Sequence, residues 1–413
     1  MMDLRNSMMK NMFMKRIKEF VDQNQWIIVF LYALPFLNES FPTSYFICIL
    51  IRYDIFKYLS FGLLILLFVR KKKKVSLLLD LLIVLEGMLI ISSLINHETF
   101  GTDEYWKMFS DIVCILSMGL IVECFIDRPK DLIRGLLLNF EIAVYSYFIG
   151  YVFILSGQNY YKRGLLATLN LWILPGICIA LLHVMINKGY FRSVLLIIIS
   201  LFVTYRVWNA TTVVALTGMF GVIAVGYVLL KMKNRKISLG FLLAAAVALN
   251  LFVLFIYSGN DYPFVSFVIE KILRKSTSFT ERDVIWAEAI RMIREKPIFG
   301  HGSRPVLAVA NSFADEYPHS HNQILQKLNE SGVFGLAVFS LMHAQLIRKV
   351  DGSRNSLARI AVTGAMFGIF MTYITEAYKK FYVFYLIFFL AYDCDKLKGE
   401  IEYGVIEDGY EKD

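Results

Sequence analysis

The chain has 413 residues, 57% of them hydrophobic and only 19% charged, with a formal net charge of +9. Soluble domains run at about 45–50% apolar and about 25% charged, so this balance excludes an ordinary soluble enzyme. Nor does the positive charge mark a nucleic-acid binder. It lies in clusters at the ends of apolar runs, Arg70–Lys74 and Lys231–Lys236, without the interleaved aromatics that stack on bases.

Residues 1–25 set Lys15, Arg16 and Lys18 against Met14, Ile17 and Phe20, the pattern of a helix lying on a membrane surface. Apolar runs of the length needed to cross hydrocarbon then follow through residue 257. The expected spans are 26–38, 44–69, 75–95, 105–126, 135–156, 164–186, 193–207, 210–230 and 237–257. Three more lie at 322–347, 356–376 and 381–394, so the reading is an all-α polytopic membrane protein with about twelve transmembrane helices. The one long break, 258–321, falls between the ninth and tenth. Lys and Arg concentrate in alternate loops, which puts both termini, including the 395–413 tail, in the cytoplasm and the 258–321 loop outside. The first apolar run lacks a small-residue cleavage site and reads as a retained helix. The five cysteines sit in or beside apolar segments without paired spacing, and read as small hydrophobes, not disulfides or metal ligands.

Within the long loop, Asp283–Arg294 has helical character, with Trp286, Ala289, Ile290 and Ile293 on one stripe. Thr280 and Asp283 have the spacing of a capping box, and Pro297 closes the helix. Arg282 precedes Trp286 by four residues and so shares its inward face. Gly300 and Gly302 turn the chain back towards the next span.

The titratable residues here admit two kinds of reading. His321 stands where loop becomes helix; it either caps that helix or takes a proton from a hydroxyl at neutral pH. A metal site would recruit His301 and His319 with Asp315 or Glu316, but that spacing is not a helical i, i+4 pair, and no metal is expected. Arg282 either binds an anionic group bidentately or belongs to an ion-paired surface. Arg163 and Arg206, at outer helix ends, either snorkel or bind an anion. Glu330 and Glu376 are carboxylates within expected spans and need partners, for which an arginine or the histidine would serve.

The array Arg282-x3-Trp286, Pro297-x2-Gly300-x-Gly302 and His321-Asn322-x9-Gly332-x2-Gly335 resembles the O-antigen ligase and Wzy-type polysaccharide polymerase family. Arg163-Gly164 with Asn170 looks like that family's Arg-Gly…Asn stretch in an outer loop. The chain departs from the family where members often carry Ser-Arg: it has Asn209-Ala210-Thr211-Thr212, so the arginine role there is either lost or taken by Arg206 or Arg163. The resemblance implies inverting, metal-independent and cofactor-free glycosyl transfer on the outer face of the bacterial cytoplasmic membrane. The donor would be an oligosaccharide repeat unit on undecaprenyl pyrophosphate, and a flippase and a chain-length regulator are the expected pathway partners. His321 and Arg282 would then be catalytic. Arg163 and Arg206 would bind pyrophosphate, with Trp286, His319, Asn322 and Glu330 holding substrate or supporting the site. Polymerase is the favoured activity and ligase the alternative, since no feature for recognising a lipid A core stands out. A glycolipid transporter would more often show two similar halves, and no half-repeat is visible.

Overall fold

A computed structural model describes residues 23–37, 54–97, 101–149, 159–233, 235–256, 282–303, 307–308, 316–317, 319–377 and 382–398. The expected surface helix in 1–25 lies almost wholly outside these residues, as does Thr280 of the expected capping box. The described helices are α1 (Gln25–Leu37), α2 (Asp54–Arg70), α3 (Leu77–Ile95), α4 (Thr102–Phe125), α5 (Pro129–Ile149), α6 (Asn159–Asn187) and α7 (Tyr190–Val207). They continue with α8 (Ala210–Lys233), α9 (Leu239–Ile256), α10 (Arg282–Glu295), α11 (Gln323–Asp351), α12 (Ser356–Thr372) and α13 (Tyr382–Tyr392). One antiparallel two-residue pair, Leu307–Ala308 against Glu316–Tyr317, interrupts the helical pattern.

Six of these helices are long and apolar enough to cross a membrane: α3, α4, α5, α7, α8 and α11. Five apolar stretches of 10–17 residues accompany them, in α1, α6, α9, α12 and α13. The architecture is that of a polytopic α-helical membrane protein. Helix ends differ from the apolar runs where polar residues cap or extend them. α5 starts at Pro129, six residues before the expected span, because proline suits the first helical position and Lys130 and Asp131 continue the turn. α12 stops at Thr372, leaving Glu376 beyond the helix. Ser76, Asn322 and Asn355 cap α3, α11 and α12 by accepting hydrogen bonds from first-turn amides.

The bundle core runs through α4, α5, α6, α12 and α13, with α8 along α12 and α3 along α11. The α8–α12 approach is close: a Cβ on Gly364 would lie 2.6 Å from Ile223 and 2.9 Å from the Met219 carbonyl. α10 packs on α11 through a separate small core of Ile285, Trp286, Ala289, Met292, Leu307 and Leu325. Its buried face is rotated from the expected stripe. Ile290 is 38% exposed, and Ile285 and Met292 go inside instead.

α11 is broken at Gly332 (φ 62°, ψ −161°). The segment from Pro297 to Gly302 fills the break and satisfies the groups it frees. His301 N donates to Asn329 O (2.6 Å), Gly302 N to Glu330 O (3.0 Å), and Val333 N to Pro297 O (2.9 Å). Non-helical backbone at this depth is tolerated because protein, not lipid, completes its hydrogen bonds. There is no room for a side chain at Gly332, whose Cβ would lie 2.1 Å from Ile298 O. Gly332→Ala is therefore expected to lower the stability of the detergent-solubilised protein by about 3 kcal/mol or more. Gly62→Ala, whose added Cβ meets nothing within 4 Å, serves as the control. Equal melting temperatures for the two variants would contradict the steric account.

The same loop is tied to α3. Asn96 Nδ2 donates to Gly300 O (3.1 Å), Ser303 N donates to Ser93 Oγ (2.9 Å), and Lys296 donates to Asn96 Oδ1. α10 and the start of α11 are thus held by one fixed turn.

Candidate functional site

The candidate site forms where the start of α11 meets the end of α12. Asn322 joins the two: its Oδ1 accepts from Ile324 N (3.1 Å) and Leu325 N (3.2 Å). Its Nδ2 donates to Ile374 O (3.2 Å) and to Asn250 Oδ1 of α9 (2.9 Å). Gln323 N adds a bond to Tyr373 O (3.0 Å). These bonds fix the His319–His321 segment against the turn that carries Glu376. The N-terminus of α8 joins it through the Thr211 and Thr375 hydroxyls, 3.0 Å apart.

Glu376 is the centre of the cluster. Arg282 Nη2 donates to its Oε1 (3.0 Å), and His321 Nδ1 lies 3.4 Å from its Oε2. The His319 ring stands edge-on to that of His321, with centroids 4.1 Å apart. Side-chain exposures of 15% for Arg282, 24% for Glu376 and 25% for His321 leave all three within reach of a ligand. Burial pushes the Glu376 carboxyl up, but the bond with His321 and the charge of Arg282 outweigh it and hold the group below the usual carboxylate range. A carboxyl lowered in this way keeps its bridge at neutral pH and loses it only as pH falls through the lowered value. His321 itself has φ 48°, a left-handed backbone uncommon for a residue with a side chain. That conformation is sustained by Ser320, whose N and Oγ both donate to Gln326 Oε1 (2.9 and 3.1 Å).

Of the residues singled out from sequence, the fold brings Arg282, His319, His321 and Asn322 together. Trp286 is 2% exposed and packs beneath α10. Glu330 points away, bonded to Gln326 Nε2 (2.8 Å) and Lys327 Nζ (2.9 Å) beside Glu86 and Asp111. It thus pairs with a lysine three residues earlier, where an arginine or the histidine was expected to serve. Arg206 is exposed on the last turn of α7. The side chain of Arg163, on the first turns of α6, lies outside the described residues. His301 Nε2 lies 2.9 Å from Met292 O, in the loop that fills the α11 break. Asp315 lies outside the described residues, as does the side chain of Glu316, and no group of three or more His, Cys, Asp or Glu able to hold a metal occurs among those described. Glu376 carried only the weak signal of a carboxylate in need of a cation. Ser320 and Gln326 gave none.

Residues 134–340, from α5 through the first half of α11, match the model of a family described as O-antigen ligase. No curated protein matches the chain.

Proposed function

The chain belongs to the O-antigen ligase family, and from that premise we propose that it polymerises lipid-linked oligosaccharide repeat units on the outer face of the cytoplasmic membrane. The family makes it an enzyme of polysaccharide synthesis acting on lipid-linked glycans. The single observation that carries the mechanism is the bridge from Arg282 through Glu376 to His321.

In this reading Glu376 accepts from the Nδ1–H of His321, fixing the tautomer and leaving Nε2 free as a base. The acceptor hydroxyl gives its proton to Nε2 as its oxygen attacks the anomeric carbon of the donor. The bond from that carbon to the pyrophosphate oxygen breaks with inversion, and polyprenyl pyrophosphate leaves with the electron pair. Arg282 donates through Nη2 to Glu376, and its guanidinium stabilises the charge on the departing pyrophosphate. Charge stabilisation of that kind contributes about 3–4 kcal/mol in a site screened from water. Arg206 or Arg163 supplies the second cation. About twelve spans, with both termini inside, complete the topology.

The test is to delete the gene, restore it on a plasmid, and size both lipid-linked and surface glycans. A polymerase leaves single repeat units on lipid in the deletion strain and a ladder on restoration. Full-length chains stranded on lipid in the deletion strain would identify a ligase instead. Unchanged glycans in both fractions would reject a role in glycan transfer.

A further inference from the structure

A line of buried polar side chains runs from the Ser320 side of His321 along the first half of α11. Gln326, only 1% exposed, stands in it between two unlike neighbours. On one side its Oε1 accepts from Ser320 N (2.9 Å) and from the Ser320 hydroxyl (3.1 Å), which also reaches Asn322 O (3.0 Å). On the other its Nε2 donates to Glu330 Oε1 (2.8 Å), four residues on and so along the same helical face. Glu330 in turn accepts from Lys327 Nζ through Oε2 (2.9 Å), and a carboxylate paired with an ammonium only accepts. The backbone of Glu330 is itself fixed, because its carbonyl accepts from Gly302 N in the turn that fills the α11 break.

The side chain at position 326 must therefore accept at one end and donate at the other. Among side chains of that length only glutamine does both: glutamate accepts at both ends, and lysine and arginine only donate. A flipped amide would set its NH2 against the Ser320 N–H and its oxygen against the Glu330 carboxylate. The network thus leaves the amide one orientation.

We propose that Gln326 is a positioning residue for His321, oriented by Glu330 and acting through Ser320; the proposal rests on the reading of His321 as the base. The φ of 48° at His321 is one that a residue with a side chain keeps only where its neighbours hold it. Asn322, the cap of α11, holds it on one side, and the bonds from Ser320 to Gln326 hold it on the other. Without the amide, residue 321 relaxes towards negative φ and carries the imidazole away from Glu376 Oε2. That contact, at 3.4 Å, is already long for a hydrogen bond. Gln326 is enclosed, so its influence on the reaction passes through the ring and not through the substrate.

The test is a double-mutant cycle with His321→Ala, read as turnover of a lipid-linked repeat unit by the purified full-length protein beside a thermal melt of each variant. Gln326→Met keeps the length of the side chain and removes the amide. It should lower kcat about 10- to 100-fold and leave KM within about twofold of wild type. In the His321→Ala background the same substitution should change kcat by less than about twofold, since no imidazole is left to position. A loss of folded protein would instead lower the rate by one factor in both backgrounds. Exchanging the pair, Gln326→Glu with Glu330→Gln, keeps the order of donors and acceptors from Ser320 to Lys327 and should restore most of the turnover. The exchanged pair also keeps the proposal open to test if Gln326→Met folds poorly. A wild-type rate in Gln326→Met, equal losses in the two backgrounds, or an exchanged pair that melts like wild type yet is slowed about tenfold or more overturns the positioning role and leaves the base in place. A wild-type rate in His321→Ala overturns the base and the positioning role together.

Discussion

Replacing His321 by alanine is expected to slow glycan transfer about 10²–10⁴-fold, the usual weight of a positioned acid–base group. The protein should still reach the membrane and melt near the wild-type temperature. The imidazole is a quarter exposed, and among the described residues it makes one long contact to Glu376 and an edge-on one to the His319 ring, so little packing goes with it. The measurement is the turnover of a lipid-linked repeat unit by purified variant, beside a thermal melt. Glu376→Gln separates orientation from structure. The amide still accepts from Arg282 but no longer offers a charge to the imidazole, so activity should fall by a smaller factor. Combined with His321→Ala, it should add almost nothing, since the two residues act through one proton. A double variant with fully additive losses would break the link between Glu376 and His321.

Arg282→Lys should cost about 10²–10³-fold although the positive charge is kept. Nη2 of the guanidinium donates to Glu376 at 3.0 Å, and the planar fork presents its donors to an anion in fixed geometry. An ammonium on a flexible stem satisfies one of these tasks at a time. Arg282→Ala should be no better than Arg282→Lys in rate. It should also raise the carboxyl of Glu376, because one of the charges that holds it down is removed. Single repeat units should accumulate on lipid in cells carrying either variant. Wild-type turnover by Arg282→Lys would mean that the arginine serves only to anchor α10 to the end of α12.

Several parts of this arrangement were legible before any coordinates. Proline and paired glycines after an amphipathic stretch marked the end of α10 and the turn at Gly300 and Gly302, both at positive φ. The need of a carboxylate in an expected span for a cation pointed to a partner for Glu376, because lipid offers none. Other features were not legible. The stripe on α10 was read as Trp286, Ala289, Ile290 and Ile293, whereas packing on α9 and α11 buries Ile285 and Met292 and turns Ile290 out. A periodicity fixes which residues share a face to within about one position; the neighbour decides which edge of that face is covered.

Composition and hydropathy by themselves determined the class of this protein, an all-helical chain in a membrane. Lipid leaves the backbone no other economical way to satisfy its hydrogen bonds, so an apolar run of sufficient length can only be read as a helix. Motif spacing determined that Arg282 and His321 belong to one polar excursion. Tertiary structure alone decided that Glu376, 55 residues beyond His321, stands between them. It alone decided that Glu330 turns to Lys327, and that Pro297–Gly302 completes the broken turn of α11 at Gly332. These are contacts between segments distant in sequence. They are set by which helix ends meet, and Asn322, bonded at once to α9, α11 and the turn after α12, is where that meeting is fixed.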